Sequence, residues 1–280
     1  MEQGYEEDLA PYGVQDRLHH YTSFQGLFSI LTTRKIWATN ARFLNDSTEL
    51  KHGREACQQA LSLIEDPRLL PLVNIVRHGI DDGFGHSVYV ASFSRDPNLE
   101  AQWLKYANHG SGFAIAFDNL CLSDLKGGPT DPVRLMPVEY DPVKQEKRAQ
   151  RTVIRALEYL YDQPRMTPQD VHARIVELAV ELYFLLATFK AAEWSVEREW
   201  RLVYSQKDGD PNASHVLWRW RGELRVPYVE LDLTRTWHGP KPIFAAIREG
   251  PEANPEASFV VKRFLREHGI VIPWERQKPF

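Results

Sequence analysis

Residues 17–40 read RLHHYTSFQGLFSILTTRKIWATN, and the hydrophobic period changes twice within them. RLHHYT (17–22) reads as a short strand. Phe24, Leu27, Phe28 and Leu31 then recur at i, i+3, i+4 and i+7, the stripe of an amphipathic helix. Thr22 with Gln25 three residues later has capping-box spacing, which sets the helix start at Thr22. Ile36–Thr39 reads as a second strand. Working outward, VYVASFS (88–94) and GFAIAFD (112–118) are apolar, aromatic and bounded by Gly, Asp or Pro, hence strands, with a helical turn from about Leu99 to Asn108 between them. VRLMPVEYD (133–141), weakened by its central proline, EREWRLVYS (197–205), RVPYVELDL (225–233) and IFAAIRE (243–249) add further strands. A polar turn leads into a helix from about Glu49 to Glu65, a pattern that Pro67 and Pro71 interrupt. Thr167-Pro168 opens the clearest helix, with Val171, Ile175, Leu178, Leu182, Leu185 and Phe189 on one face. EASFVVKRFLREHG followed by IVIPW reads as a terminal helix and a closing strand. Strands occur in both halves without regular alternation with helices, so the expected class is α+β with a largely antiparallel sheet.

The composition, 43% hydrophobic and 26% charged over 280 residues, supplies a sizeable core and excludes a disordered or collagen-like chain. No repeat and no Gly/Ser linker divides it, so a flexible acidic leader (1–16) and one domain (17–280) with a helical insertion at about 145–192 are expected. A net charge of -4 gives no global pull towards nucleic acid and does not exclude it. Cys57 and Cys121, with no CxxC, argue against a disulfide framework and a thiolate metal site. The acidic start MEQGYEEDLAPYG lacks the features of a signal peptide, and no run approaches the ~18 apolar residues of a membrane helix. A cytoplasmic protein outside the membrane is expected.

The strong catalytic signatures GxxxxGK[ST], HExxH and GxSxG are absent, and Gly110 and Gly112 form only a GxG fragment. The histidines are scattered, and His19 and His20 point to opposite faces of a strand, so no metal site is expected. The better constellation is His20-Tyr21-Thr22, an aromatic strand around Tyr89, and Glu197 with Glu199. Period two puts both glutamates on one strand face, where each raises the other's pKa unless a cation or a hydroxyl-rich ligand lies between them. Bland readings stand beside these: Thr22 as a helix cap, Tyr89, Trp103 and Tyr106 as core aromatics, and Glu197, Arg198, Glu199 and Arg201 as ion pairs on a solvated face.

LHHYTSFQGLFSILTTRKIWATNARFLNDSTEL, VASFS, WLKYANHGSGFAIAFD, EREWRLVYS and REGPEANPEASFVVKRFLREHGIVI together resemble a widespread bacterial family of uncharacterised domains, from about Leu18 to the C-terminus. The same segments resemble, more distantly, the ADP-ribosyltransferase superfamily. That resemblance implies split antiparallel β-sheets with inserted helices, and the order His, Tyr, Glu along the chain. It implies that His20, Tyr21 and Thr22 bind NAD, with Tyr21 standing where a glycine is usual in poly(ADP-ribose) polymerases. Tyr89, Trp103 and Tyr106 would stack on nicotinamide, and Ser92 or Ser94 would meet its amide. Arg42 and Arg95 are candidates for the phosphates. Glu199 would be the catalytic carboxylate and Glu197 would orient the acceptor. The implied activity is NAD-dependent ADP-ribosyl transfer, without metal, to a protein or nucleic-acid acceptor, as in a toxin or phage-defence effector. Two rivals are a non-catalytic nucleotide or nucleic-acid binding module using Leu217–Arg221, and a metal-dependent nuclease using Asp46, Glu49, Glu197 and Glu199.

Overall fold

The structure, a computed structural model, describes residues 17–44, 49–67, 70–82, 85–126, 133–161, 167–210, 215–237, 239 and 242–276. The acidic leader, Asn45 and Asp46 lie outside the described residues, as does the side chain of Glu49.

Strand β3 (His86–Ser94) organises the sheet. One edge pairs along its length with β6 (Glu199–Lys207), and β6 carries β5 (Val133–Pro137). The other edge is shared. Tyr89 and Val90 pair with Asn40 and Thr39 of β2 (Lys35–Asn40), whereas Ser94 pairs with His19 of β1 (Arg17–Thr22). Both β1 and β2 run antiparallel to β3, hence parallel to each other, and they diverge. β1 continues into β4 (Phe113–Asp118), β9 (Phe244–Glu249) and β10 (Trp274–Arg276). β2 continues into β8 (Leu224–Asp232) and β7 (Leu217–Arg221). Helix α1 (Phe24–Thr33) crosses from β1 to β2. The result is α+β with one large forked sheet, mixed because β9 and β10 pair in parallel while the other pairings are antiparallel.

Alternation along the central strands builds a core on each side. Tyr89, Ala91, Phe93, Trp200, Leu202 and Tyr204 join one cluster with Leu27, Leu31 and Phe117. Val88, Val90 and Val203 join another, under α2 (Glu49–Ser62), α3 (Leu70–Asp82), α6 (Pro142–Tyr161) and α7 (Pro168–Leu186). A strand buried on both faces reads as a continuous apolar run, which is how VYVASFS looks in sequence. In α7, Ile175, Leu178, Leu182 and Leu185 face this second core as the period requires, and Thr167 with Asp170 forms a capping box. Three further helices are α4 (Glu100–Tyr106), α5 (Asn119–Ser123) and α8 (Pro255–Glu267).

Several expected boundaries are corrected. Ser23, not Thr22, caps α1: its extended backbone lets Oγ accept the Gly26 N–H at 3.2 Å, while Thr22 stays in β1. The helical pattern is interrupted as expected, α2 ending at Ser62 and α3 starting at Leu70, with Pro71 in the first turn of α3, where its missing N–H costs nothing. The 133–141 strand stops at Pro137, the helix from Glu49 stops at Ser62, and Phe189 lies beyond the end of α7. The closing strand is 274–276, not 270–274. The strand expected from Glu197 starts at Glu199, because Ala192–Glu197 forms a 3-10 helix and Arg198 turns the chain through a left-handed conformation (φ 44°).

The loops NHGSG and REGP, quoted above for the resemblance, meet in space. Gly250 N–H donates to Gly112 O at 3.0 Å, and a Cβ at Gly250 would fall inside contact distance of the Gly110 carbonyl. Backbone cannot move aside as a side chain can, so Gly250→Ala is expected to cost about 1–3 kcal/mol. Thermal unfolding checks this: an unchanged midpoint would show that the loops are free to separate.

Candidate functional site

A cavity of about 550 Å³ opens at the fork, within the range of roughly 300–1,000 Å³ for small-molecule sites. β1 lines it with His20, Tyr21 and Thr22, α4 with Tyr106, and the start of β6 with Glu199 and Arg201; Glu197 and Lys190 complete this end. Six of the expected residues thus converge here: His20, Tyr21, Thr22, Tyr106, Glu197 and Glu199. Ser92 lines the cavity as well. Tyr89 instead packs in the core with its ring 6.2 Å from that of Tyr204, and Trp103 is fully buried edge-on to Tyr21. Ser94 lies behind the cavity, where its hydroxyl donates to the Glu197 carbonyl at 2.7 Å. Arg42 sits in a short 3-10 turn whose Phe43 lines the cavity but does not line it itself, and Arg95 meets Arg198 through its backbone N–H.

At the carboxylate end lies a buried ion cluster. Lys190 Nζ donates to Glu197 Oε2 at 2.6 Å and to Glu199 Oε2 at 3.1 Å. Arg201 donates to both Glu199 oxygens, Nε at 2.8 Å and Nη2 at 3.0 Å, and through Nη1 to Ala187 O at 2.6 Å. Two cations therefore balance two carboxylates, and the mutual repulsion expected of the glutamates is relieved by lysine. Burial raises the Glu199 pKa, but Arg201 and Lys190, with the Ser92 hydroxyl, outweigh it and hold the carboxyl at about 2. Glu199 is ionised at neutral pH.

Backbone ties aim these groups. Gln145 of α6 donates through Nε2 to Glu139 O at 2.6 Å and to Lys190 O at 2.8 Å. Lys190 N–H returns a bond to Glu139 O at 3.1 Å. The helical insertion thereby delivers Lys190 to the cluster. Tyr140 OH accepts the Glu199 N–H at 2.9 Å.

His20 is held differently. Its Nδ1 lies 2.9 Å from Ser92 O. A carbonyl only accepts, so Nδ1 carries the proton. Desolvation outweighs that bond and lowers the His20 pKa, which leaves a neutral ring whose Nε2 accepts hydrogen bonds. Tyr21 is occupied structurally, its hydroxyl donating to Asp96 O at 2.6 Å and accepting the N–H of Leu99, the residue that caps α4. Tyr21→Phe is expected to cost about 1–3 kcal/mol by leaving both partners unsatisfied, read as a lower denaturation midpoint. A midpoint equal to that of the wild type would mean that water replaces the hydroxyl.

Lys190, Arg201 and Trp37 also line the cavity and were not assigned to it from sequence, and Arg219 and Arg221 of the Leu217–Arg221 segment line it too. Arg201 reads from sequence as part of a charge run on a solvated face, whereas it is only 2% exposed. β7 is amphipathic in an unexpected sense: Trp218 and Trp220 are exposed on one face, while Arg219 turns to the cavity. Among the described residues no group of three or more His, Cys, Asp or Glu is placed to hold a metal ion. No helix among them is long and apolar enough to cross a membrane.

A family model described as a protein of unknown function (DUF2971) matches residues 102–202. Lys190, Glu197, Glu199 and Arg201 fall within the matched segment, and His20 and Arg219 outside it. No curated protein and no solved structure matches the chain.

Proposed function

We propose that the fork cavity binds NAD and that the protein transfers the ADP-ribose unit to a macromolecular acceptor. One observation carries this: Glu199 is held ionised in the wall of a nucleotide-sized cavity that a neutral histidine, His20, also lines. In such a transfer the bond between the ribose C1 and the pyridinium nitrogen breaks, and its electron pair leaves with neutral nicotinamide. The acceptor nucleophile bonds to C1 and gives up its proton to solvent or to a base. A fixed anion at the site of developing positive charge lowers the barrier, since it needs no reorganisation during the reaction. Glu199 supplies that charge. His20 Nε2 is free to accept from a ribose hydroxyl, Tyr106 offers a ring face, and Glu197 lies beside Glu199 to orient the acceptor.

A second reading is favoured by the hydrogen bonds themselves. Both Glu199 oxygens already accept from Arg201 and Lys190, which suits a cleft that binds a nucleotide without breaking it. The two diverge in one assay: nicotinamide release from NAD by purified protein in chelator, with and without cell extract. Release that depends on extract supports transfer to a macromolecule, and release without extract supports hydrolysis. Binding of NAD without release leaves the non-catalytic module, and absence of NAD binding overturns the transfer reading.

A further inference from the structure

We infer that Arg219 anchors an anion subsite at the β2–β7 wall of the cavity, shaped for the phosphates of a nucleotide ligand. The inference rests on the nucleotide reading of the cavity, though not on bond cleavage. Arg219 is held by two contacts. Nη2 donates to Thr39 Oγ1 at 2.8 Å, and the guanidinium lies 5.5 Å from the Trp37 ring centroid. Its Nε is buried without a hydrogen-bond partner. A buried donor left unmet costs about 1–3 kcal/mol, so the side chain, which lines the cavity, gains by turning Nε to an acceptor that a ligand supplies.

The surrounding charges point the same way. Lys35 of the cavity wall is matched, its Nζ meeting Glu230 at 2.8 Å, and Trp37 Nε1 meets the same carboxylate. Lys190 and Arg201 are matched by Glu197 and Glu199. Arg219 has a hydroxyl and an aromatic ring but no carboxylate among these contacts, and its charged neighbour is a like one, Arg221, whose Nη1 donates to Phe43 O at 2.7 Å. Burial first, then Arg221, disfavours the protonated guanidinium, and an anion between the two arginines offsets both. A planar guanidinium presenting Nε and Nη donors matches phosphate oxygens in a way that a lysine does not. Thr39 and Trp37 fix the fork in advance. This places the phosphate contact on Arg219, not on Arg42 or Arg95.

The test is calorimetric titration of inorganic pyrophosphate, at low salt, into the full chain and into Arg219→Gln and Arg219→Lys. The expected result is binding to the wild type, weakened at least about tenfold in Arg219→Gln and less in Arg219→Lys, with circular dichroism unchanged. If Arg219→Gln does not fold, Arg219→Lys decides: affinity equal to the wild type overturns the subsite. So does an Arg219→Gln protein that binds as tightly as the wild type, or a wild type that does not bind. NAD titrated in parallel separates the failures. Pyrophosphate binding that depends on Arg219, in a protein that ignores NAD, keeps the subsite and sinks the NAD reading. NAD binding indifferent to Arg219 does the reverse.

Discussion

Glu199→Gln is expected to slow nicotinamide release by about 100- to 1,000-fold, the scale on which one preorganised electrostatic group contributes to a rate. The substitution keeps the shape of the side chain and an acceptor oxygen for Arg201, but removes the negative charge. The cluster of Lys190, Arg201 and Glu197 then carries a net positive charge, two cations against one carboxylate. Its field opposes the charge developing at the ribose where the wild-type cluster tolerated it. The loss should appear in kcat with little change in KM, because the interaction is made in the transition state and not on binding. Release measured in chelator, with the melting curve of the variant alongside, reads both quantities. A folded Glu199→Gln protein that turns over at the wild-type rate would remove Glu199 from the chemistry.

Much of this frame was readable from sequence. The strand–helix–strand opening, the apolar central strands and the capped helix at Thr167 follow from periodicity, because each has one face, or two, that must be buried. What periodicity does not carry is which partner meets each face. Tyr89 and Ser92 are three residues apart on one strand, so they point to opposite faces, and only the fork decides that Ser92 meets the cavity while Tyr89 enters the core. Lys190 follows an apolar stretch with no period of its own. It is brought to the glutamates by Gln145 and Glu139, some fifty residues earlier, which no local pattern encodes. Arg219 reaches Thr39 across β8, a contact created by sheet order alone. The paired glutamates, by contrast, were legible as a problem needing a cation or a hydroxyl-rich ligand between them, and sequence did not say that Lys190 is the group that meets both.

Arg201→Met should produce the largest loss of stability. Removing the guanidinium leaves Lys190 alone against two buried carboxylates and strips Ala187 O of its donor. Breaking a buried pair in this way costs about 3–5 kcal/mol, since the orphaned charge stays desolvated. At about 2–4 °C per kcal/mol for a chain of this size, the midpoint falls by roughly 6–20 °C. The double variant Arg201→Met/Glu199→Gln should recover part of the loss, because the charge that lacked a partner is gone. Acidity gives a second signature. The Glu199 carboxyl, held at about 2 instead of its ordinary 4.5, contributes on the order of 3 kcal/mol of stability, present in full above pH 4.5. A depressed carboxyl loses that contribution as pH falls from 4.5 to about 2, and Arg201 is its main cause after the opposing burial. The gap between wild type and Arg201→Met should therefore be widest at neutral pH and narrow below pH 4.5. Denaturant unfolding at pH 7 and pH 3 measures it, and a gap that is the same at both would mean that Arg201 holds the sheet by packing and not by pairing with Glu199.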